Sequence, residues 1–154
     1  MNTRAVLRLP LVCMVFIASM AEVHGADLSD SFARDTLVIE AGAGACYRFD
    51  VWIAASAAQH RRGLMHVREL PRFSGMLFIY PDAARRSMWM KNTYIPLDML
   101  FIRGDGTVSS IAADTEPLSL ASIASTEPVR YVLELNAGVA RELGIEPGSR
   151  IHVP

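Results

Sequence analysis

The segments Asp98-Met99-Leu100-Phe101-Ile102-Arg103 and Thr107-Val108-Ser109-Ser110-Ile111, joined by Gly104-Asp105-Gly106, constrain the fold more than any other part of the chain. Two runs rich in β-branched and aromatic residues on either side of a glycine-bearing turn form an antiparallel hairpin, because glycine reaches the left-handed backbone conformations that a tight hairpin needs. Similar short runs recur along the chain. Leu37 to Glu40 and Tyr47 to Ile53 read as strands joined through Gly42 and Gly44, Met76 to Tyr80 as a strand ended by Pro81, Val129 to Leu135 as another and Arg150 to Val153 as the last. Ser87 to Asn92 also reads as extended, and residues 112 to 128, with Pro117 and Pro128, read as a loop able to lie over a site. Two short helices are expected. One runs from Ala57 to Arg62 between a Ser56 N-cap and Gly63, the other from an Asn136 cap through Leu143 to Gly144. Closely spaced short strands with two brief helices predict a mainly β (α+β) domain, a compact twisted sheet or partly closed barrel, rather than a helical bundle or a doubly wound fold.

The N-terminus is of a different kind. Arg4 and Arg8 precede an apolar run from Leu9 to Ala21, interrupted only by Pro10 and Ser19, and polar sequence follows from Glu22. A basic start, an apolar middle and a small-residue end are the parts of a cleavable secretion signal. The run is shorter than the roughly 20 apolar residues that span a bilayer, so no permanent membrane anchor is expected. Cleavage is placed after Gly25, with Ala21 as the alternative. The expected organisation is a signal peptide over 1–25, a flexible lead-in over 26–35 and a single domain over 36–154. In a bacterial cell such a chain is expected to be exported across the inner membrane to the periplasm.

Removing Arg4, Arg8 and Glu22 with the signal leaves 13 basic and 15 acidic residues, a formal charge of −2. A weakly acidic domain lacks the basic footprint of a nucleic-acid binder. Cys46 is the only cysteine outside the signal, so no intramolecular disulfide is expected, and it is either a small buried hydrophobe, the favoured reading, or an exposed thiol.

Lys91 is the only lysine in the chain, against fourteen arginines, and it sits in the run Met88-Trp89-Met90-Lys91-Asn92-Thr93-Tyr94. Lysine is a compact point charge suited to anion capture or, when desolvated, to proton transfer. Asp98 becomes its partner if the loop from Asn92 to Pro96 folds back, an arrangement that can equally be structural. Glu134 lies between Leu133 and Leu135, so with the leucines in the core it turns to the opposite face: solvent by default, or a polar site beside Lys91 and Asp98. Met65, Met88 and Met90 with His60 and His66 have the donor types that hold cuprous ion, although methionine is also a common filler of irregular cores and no recognisable metal-ligand spacing is present. Ser109 and Ser110 lack a nucleophile-elbow pattern, and the glycines form no phosphate-cradling motif. No metal site or cofactor is expected, and the sequence identifies no protein partner.

Four blocks in order, Arg62-Gly63-Leu64-Met65, Gly75-Met76-Leu77-Phe78, Trp89-Met90-Lys91-Asn92-Thr93 with Ile95-Pro96-Leu97-Asp98, and Leu133-Glu134-Leu135-Asn136-Ala137-Gly138, resemble the domain-of-unknown-function 192 family from about residue 37 to the end. The resemblance implies a small, mainly β, often exported domain and carries no established activity. The chain departs from the family pattern at Val67, where an arginine is frequent; Arg68 follows it.

The residues thus point to a binding module in which Lys91, Asn92, Asp98 and Glu134 line a polar cavity for a small polar or anionic ligand in the cell envelope. Lys91 supplies charge, Asn92 an adaptable donor and acceptor, and the carboxylates orient the lysine or accept ligand hydroxyls. The alternatives are an enzyme using Lys91 as base or nucleophile with Asp98 or Glu134 as proton partner, an envelope interaction domain, or a cuprous-ion binder.

Overall fold

The computed structural model describes residues 28–154; the signal peptide expected over 1–25 lies outside the described residues. Nine strands and two short helices follow in chain order: β1 (Ala33–Glu40), β2 (Cys46–Ala54), α1 (Ala57–Arg62), β3 (Ser74–Ala84), β4 (Ser87–Met88), β5 (Leu97–Ile102), β6 (Val108–Ala112), β7 (Ile123–Ala124), β8 (Val129–Asn136), α2 (Val139–Glu142) and β9 (Arg150–His152). Seven of them form one sheet in the order β6-β5-β8-β3-β2-β1-β9, and β4 pairs with β7 alone. Only β2 and β3 run parallel, with α1 in the connection between them. The two sheet edges meet. Thr107 bridges to Arg150, Val108 N–H donates to the Ser149 carbonyl at 2.8 Å, and Ile151 N–H donates to the Gly106 carbonyl at 2.8 Å. Gly106 has φ of +86°, and a Cβ there would lie 2.5 Å from the Ile151 carbonyl oxygen, so the Gly-Asp-Gly turn is what lets the hairpin dock on β9 and nearly close the barrel. The mainly β, partly closed barrel expected from the strand spacing is the observed architecture.

Strand alternation distributes the apolar residues between two cores. Leu37, Phe49, Val51, Leu77, Leu100 and Leu133 fill the barrel, whose end is sealed by Val139, Ala140 and Leu143 of α2 and its C-terminal flank. The opposite face of β3, β5 and β8 carries Met76, Phe78, Met99, Phe101 and Val132, covered by Leu64, Val67, Leu70 and Met90 from the connecting segments. Because both faces are covered, all six residues of β5 are buried, and apart from Asp98 the strand is apolar on both faces rather than alternating.

Local expectations hold where a single residue decides the geometry. Ser56 and Gln59 form a reciprocal capping box at the start of α1, and Gly63 ends it at φ of +46°. Others are corrected. The lead-in expected to be flexible is structured from Leu28 onward: Leu28 and Phe32 are buried in the outer core, and β1 already begins at Ala33. The strand expected to stop at Pro81 runs to Ala84, because the β3–β8 register is interrupted between Ile79 and Ala84, where a missing N–H leaves no ladder bond unmade. Asn136 does not cap α2. It stays in β8 and donates its amide to the Leu70 carbonyl at 2.8 Å, while the N-cap position of α2 is held by Gly138 with φ of +82°. The extended run expected over Ser87–Asn92 reduces to the two residues of β4 followed by a turn, Thr93 N–H to Met90 carbonyl at 3.0 Å with Asn92 at φ of +55°. Cys46 is exposed rather than buried, since it starts β2 where the chain leaves the core.

Candidate functional site

The outer core is interrupted by one carboxyl group. Glu134 lies on β8 with Met76 of β3 and Met99 of β5 as its cross-strand neighbours, on the face opposite Leu133 and Leu135. Gly75 of β3 brings the chain close against this part of β8: a Cβ there would sit 2.6 Å from the Glu134 carbonyl oxygen and 2.8 Å from the Leu135 side chain. The face that strand alternation leaves to solvent by default is covered here by α1 with its following turn and by the strap from Met88 to Thr93. Glu134 is consequently 4 % exposed, and its Oε2 is buried without a hydrogen-bond partner. Desolvation pushes its pKa up to about 8, so the side chain is a neutral acid at pH 7.

A narrow opening of about 20 Å³ reaches this carboxyl group. That volume suits one water-sized group. Phe78 and Glu134 contribute from the sheet, His60 and Leu64 from one side, and Met88 and Trp89 from the strap. Arg61, Arg62 and Lys91 also line it, and none of the three forms an ion pair with a carboxylate among the described residues. Arg62 is partly committed elsewhere, donating to the Ser31 hydroxyl with its guanidinium 5.4 Å from the Phe32 ring centre. The Lys91 ammonium lies 5.2 Å from the centre of the Trp89 ring, on which it is positioned to stack.

His60 is fixed by its surroundings. Its Nε2 lies 3.0 Å from the Ala54 carbonyl oxygen and 3.1 Å from that of Ile79; both are acceptors, so Nε2 carries a proton. Its ring packs 4.5 Å from that of Tyr80, whose hydroxyl donates to Met88 Sδ at 3.7 Å. Burial raises the Tyr80 pKa, opposed by the nearby Arg86 guanidinium and assisted by Glu134.

Of the four residues expected to share a cavity, the fold brings Lys91 and Glu134 to one opening. Asn92 turns away in a left-handed conformation, with its carbonyl accepting from His66 N–H at 2.8 Å and its amide facing Met65 Sδ at 3.9 Å. Asp98 faces the barrel interior and does not pair with Lys91. Its Oδ1 accepts from Asp114 N–H at 3.0 Å and its Oδ2 from Ala140 N–H at 2.9 Å, which makes it a cap for the first turn of α2 delivered from a neighbouring strand. The thioethers are engaged separately: Met90 is fully buried and accepts from the Thr115 hydroxyl at 3.2 Å, Met88 accepts from Tyr80, and Met65 faces Asn92. Among the described residues, no three His, Cys, Asp or Glu side chains are grouped to hold a metal ion. Residues 112–128 do lie over the strap, tied to it by Leu118 N–H to the Thr93 carbonyl and by the β4–β7 pairing. The sequence reading missed Trp89, Tyr80 and the arginines of α1 as neighbours of Glu134. The adjacency of the Arg-Gly-Leu-Met block to α1 was the available signal.

A search of curated proteins returned no significant relative. Solved structures resemble the chain, two among them as follows. One, from Sinorhizobium meliloti 1021 and provisionally named a transcription regulator, is 43 % identical with a TM-score of 0.78, covering 79 % of this chain and 95 % of the other. The second, a protein of unknown function from Novosphingobium aromaticivorans DSM 12444, is 32 % identical with a TM-score of 0.75, covering 78 % and 85 %. The family profile of DUF192, described as "Uncharacterized ACR", matches residues 38–153, which is essentially the whole barrel with its covering segments, and the chain therefore belongs to the DUF192 family.

Proposed function

We propose that this DUF192 domain is a ligand-binding module of the cell envelope, exported by its N-terminal segment, and that it takes a small polar or anionic group at the opening above Glu134. The observation that carries the reading is the buried, unpartnered Oε2 of Glu134. A polar atom withdrawn from water without a hydrogen bond is destabilising by roughly 1–3 kcal/mol, and a ligand atom bound at the opening relieves that penalty. Arg4, Arg8 and the apolar run of residues 9–21 support export. The enzymatic alternative, Lys91 with Asp98 or Glu134 as proton partner, is left with Glu134 alone, because Asp98 is committed to two backbone N–H groups on the other face of the sheet. The description of the Sinorhizobium relative as a regulator stays with that protein; the weakly acidic charge of this chain favours no nucleic acid.

A thermal-shift screen against envelope metabolites, sugars and inorganic anions tests the reading, since a ligand that binds the folded state raises its apparent stability by mass action. The expected result is a concentration-dependent rise that Lys91→Ala reduces and Met90→Leu, at a buried position outside the opening, leaves in place. A flat response across the whole panel rejects the binding-module reading in favour of an interaction domain.

A further inference from the structure

The opening above Glu134 does not end at the strap. Met88 and Trp89 also line a hollow of about 300 Å³ on its other side, completed by Leu120 with Ser87 and Ser122. Of the six large apolar residues exposed on the described surface, Trp89 comes from the strap, Tyr94 directly follows it, Leu118 and Leu120 come from the segment crossing it, and Leu120 is 70 % exposed. A polar slot with cationic walls thus adjoins an apolar shelf, and the two share side chains.

Resting on the reading of this opening as a binding site, we propose that its ligand is a free amphipathic monocarboxylate. One carboxylate oxygen of the ligand accepts a hydrogen bond from the neutral acid of Glu134, with Lys91 at the mouth, and the apolar tail lies along Trp89 and Leu120. Three features select this class. The slot admits one water-sized group, so a single carboxylate oxygen enters it while the rest of the ligand stays outside, where a sugar ring does not fit. The charged side chains that line the opening are Arg61 and Arg62 from α1 and Lys91 from the strap; the titratable groups beside Glu134 are His60 from α1 and Tyr80 from β3, and its neighbour on β5 is Met99. That surface favours an anionic head over an ammonium. A protonated carboxyl group is a donor toward an anion, and the charge-assisted bond it makes is stronger than a neutral one.

The probe is sodium hexanoate, titrated into Trp52→Phe protein so that Trp89 is the only tryptophan reporting, with hexylammonium and acetate in parallel arms. Hexanoate is expected to shift Trp89 emission to the blue, and acetate, lacking the tail, to bind at least about tenfold more weakly. Affinity for hexanoate is expected to fall about tenfold between pH 7 and pH 9 as Glu134 ionises. Glu134→Gln keeps an N–H donor at the same place, so it should bind hexanoate with no such loss over that range, whereas Glu134→Leu should not bind. Tight binding of hexylammonium, strengthening with pH, overturns the monocarboxylate assignment and leaves the site reading intact. Equal affinity for acetate and hexanoate overturns the role of the apolar shelf. Silence of Trp89 toward every probe overturns the assignment, and only if the wider ligand panel is also flat does the site reading fall with it.

Discussion

Glu134→Gln isolates the energetic consequence of burying a carboxyl group in the outer core. In the folded protein the group titrates at about 8, against an ordinary value of 4.5, because desolvation penalises the charged form. The native state therefore holds a proton that the unfolded chain releases above pH 4.5, and stability falls as pH rises from there to about 8, then levels off. Integrating that difference gives a loss of about 1 kcal/mol at pH 5, about 3 kcal/mol at pH 7 and about 5 kcal/mol at pH 9. Glutamine has nearly the same shape and no charge, so the variant lacks this slope. Urea unfolding of both proteins from pH 5 to pH 9 is the assay, with the difference in unfolding free energy plotted against pH. Groups shifted the other way, such as Asp105, held below the usual carboxylate range chiefly by the Thr107 backbone N–H, act at the acid end and cancel in the difference. The variant is expected to gain about 4 kcal/mol relative to wild type across that range. A difference that stays flat within about 1 kcal/mol means that Glu134 is solvated or paired in solution, and the argument for a buried neutral acid fails.

Asp98→Ala should destabilise the fold by about 2–5 kcal/mol in the same unfolding assay, because it strands the N–H groups of Asp114 and Ala140; Asp98→Asn, which keeps one acceptor, should lose less, and a neutral Asp98→Ala would contradict the capping role. Cys46 should react with a thiol reagent in the native state as fast as in denaturant; protection in the folded protein would place it in the core instead.

The sequence alone determined the kind of fold and much of its punctuation. Gly104-Asp105-Gly106, the Ser56 to Gly63 helix signals and the β-branched runs act through local backbone preferences, which are the same wherever the segment sits, so they are legible without the tertiary structure. Alternation along β8 likewise placed Glu134 opposite Leu133 and Leu135. What alternation left open is what covers that face. The strap and the turn after α1, distant in sequence, bury it, and only that packing converts an ordinary surface carboxylate into a neutral acid at an opening that Lys91 also lines. Asp98 shows the converse: four blocks in one family pattern brought it into the same argument as Lys91, yet one step of strand alternation sends it through the sheet to α2. Cys46, exposed where burial was the favoured reading, and the lead-in, whose Leu28 is buried, differ for a related reason: hydrophobicity sets the tendency to be buried, whereas exposure depends on whether another segment arrives to cover the residue. Local chemistry fixed the strands and turns; the long-range pairing of β2 with β3, β5 with β8 and the barrel edges at Thr107 and Arg150 decided which polar groups lost their water.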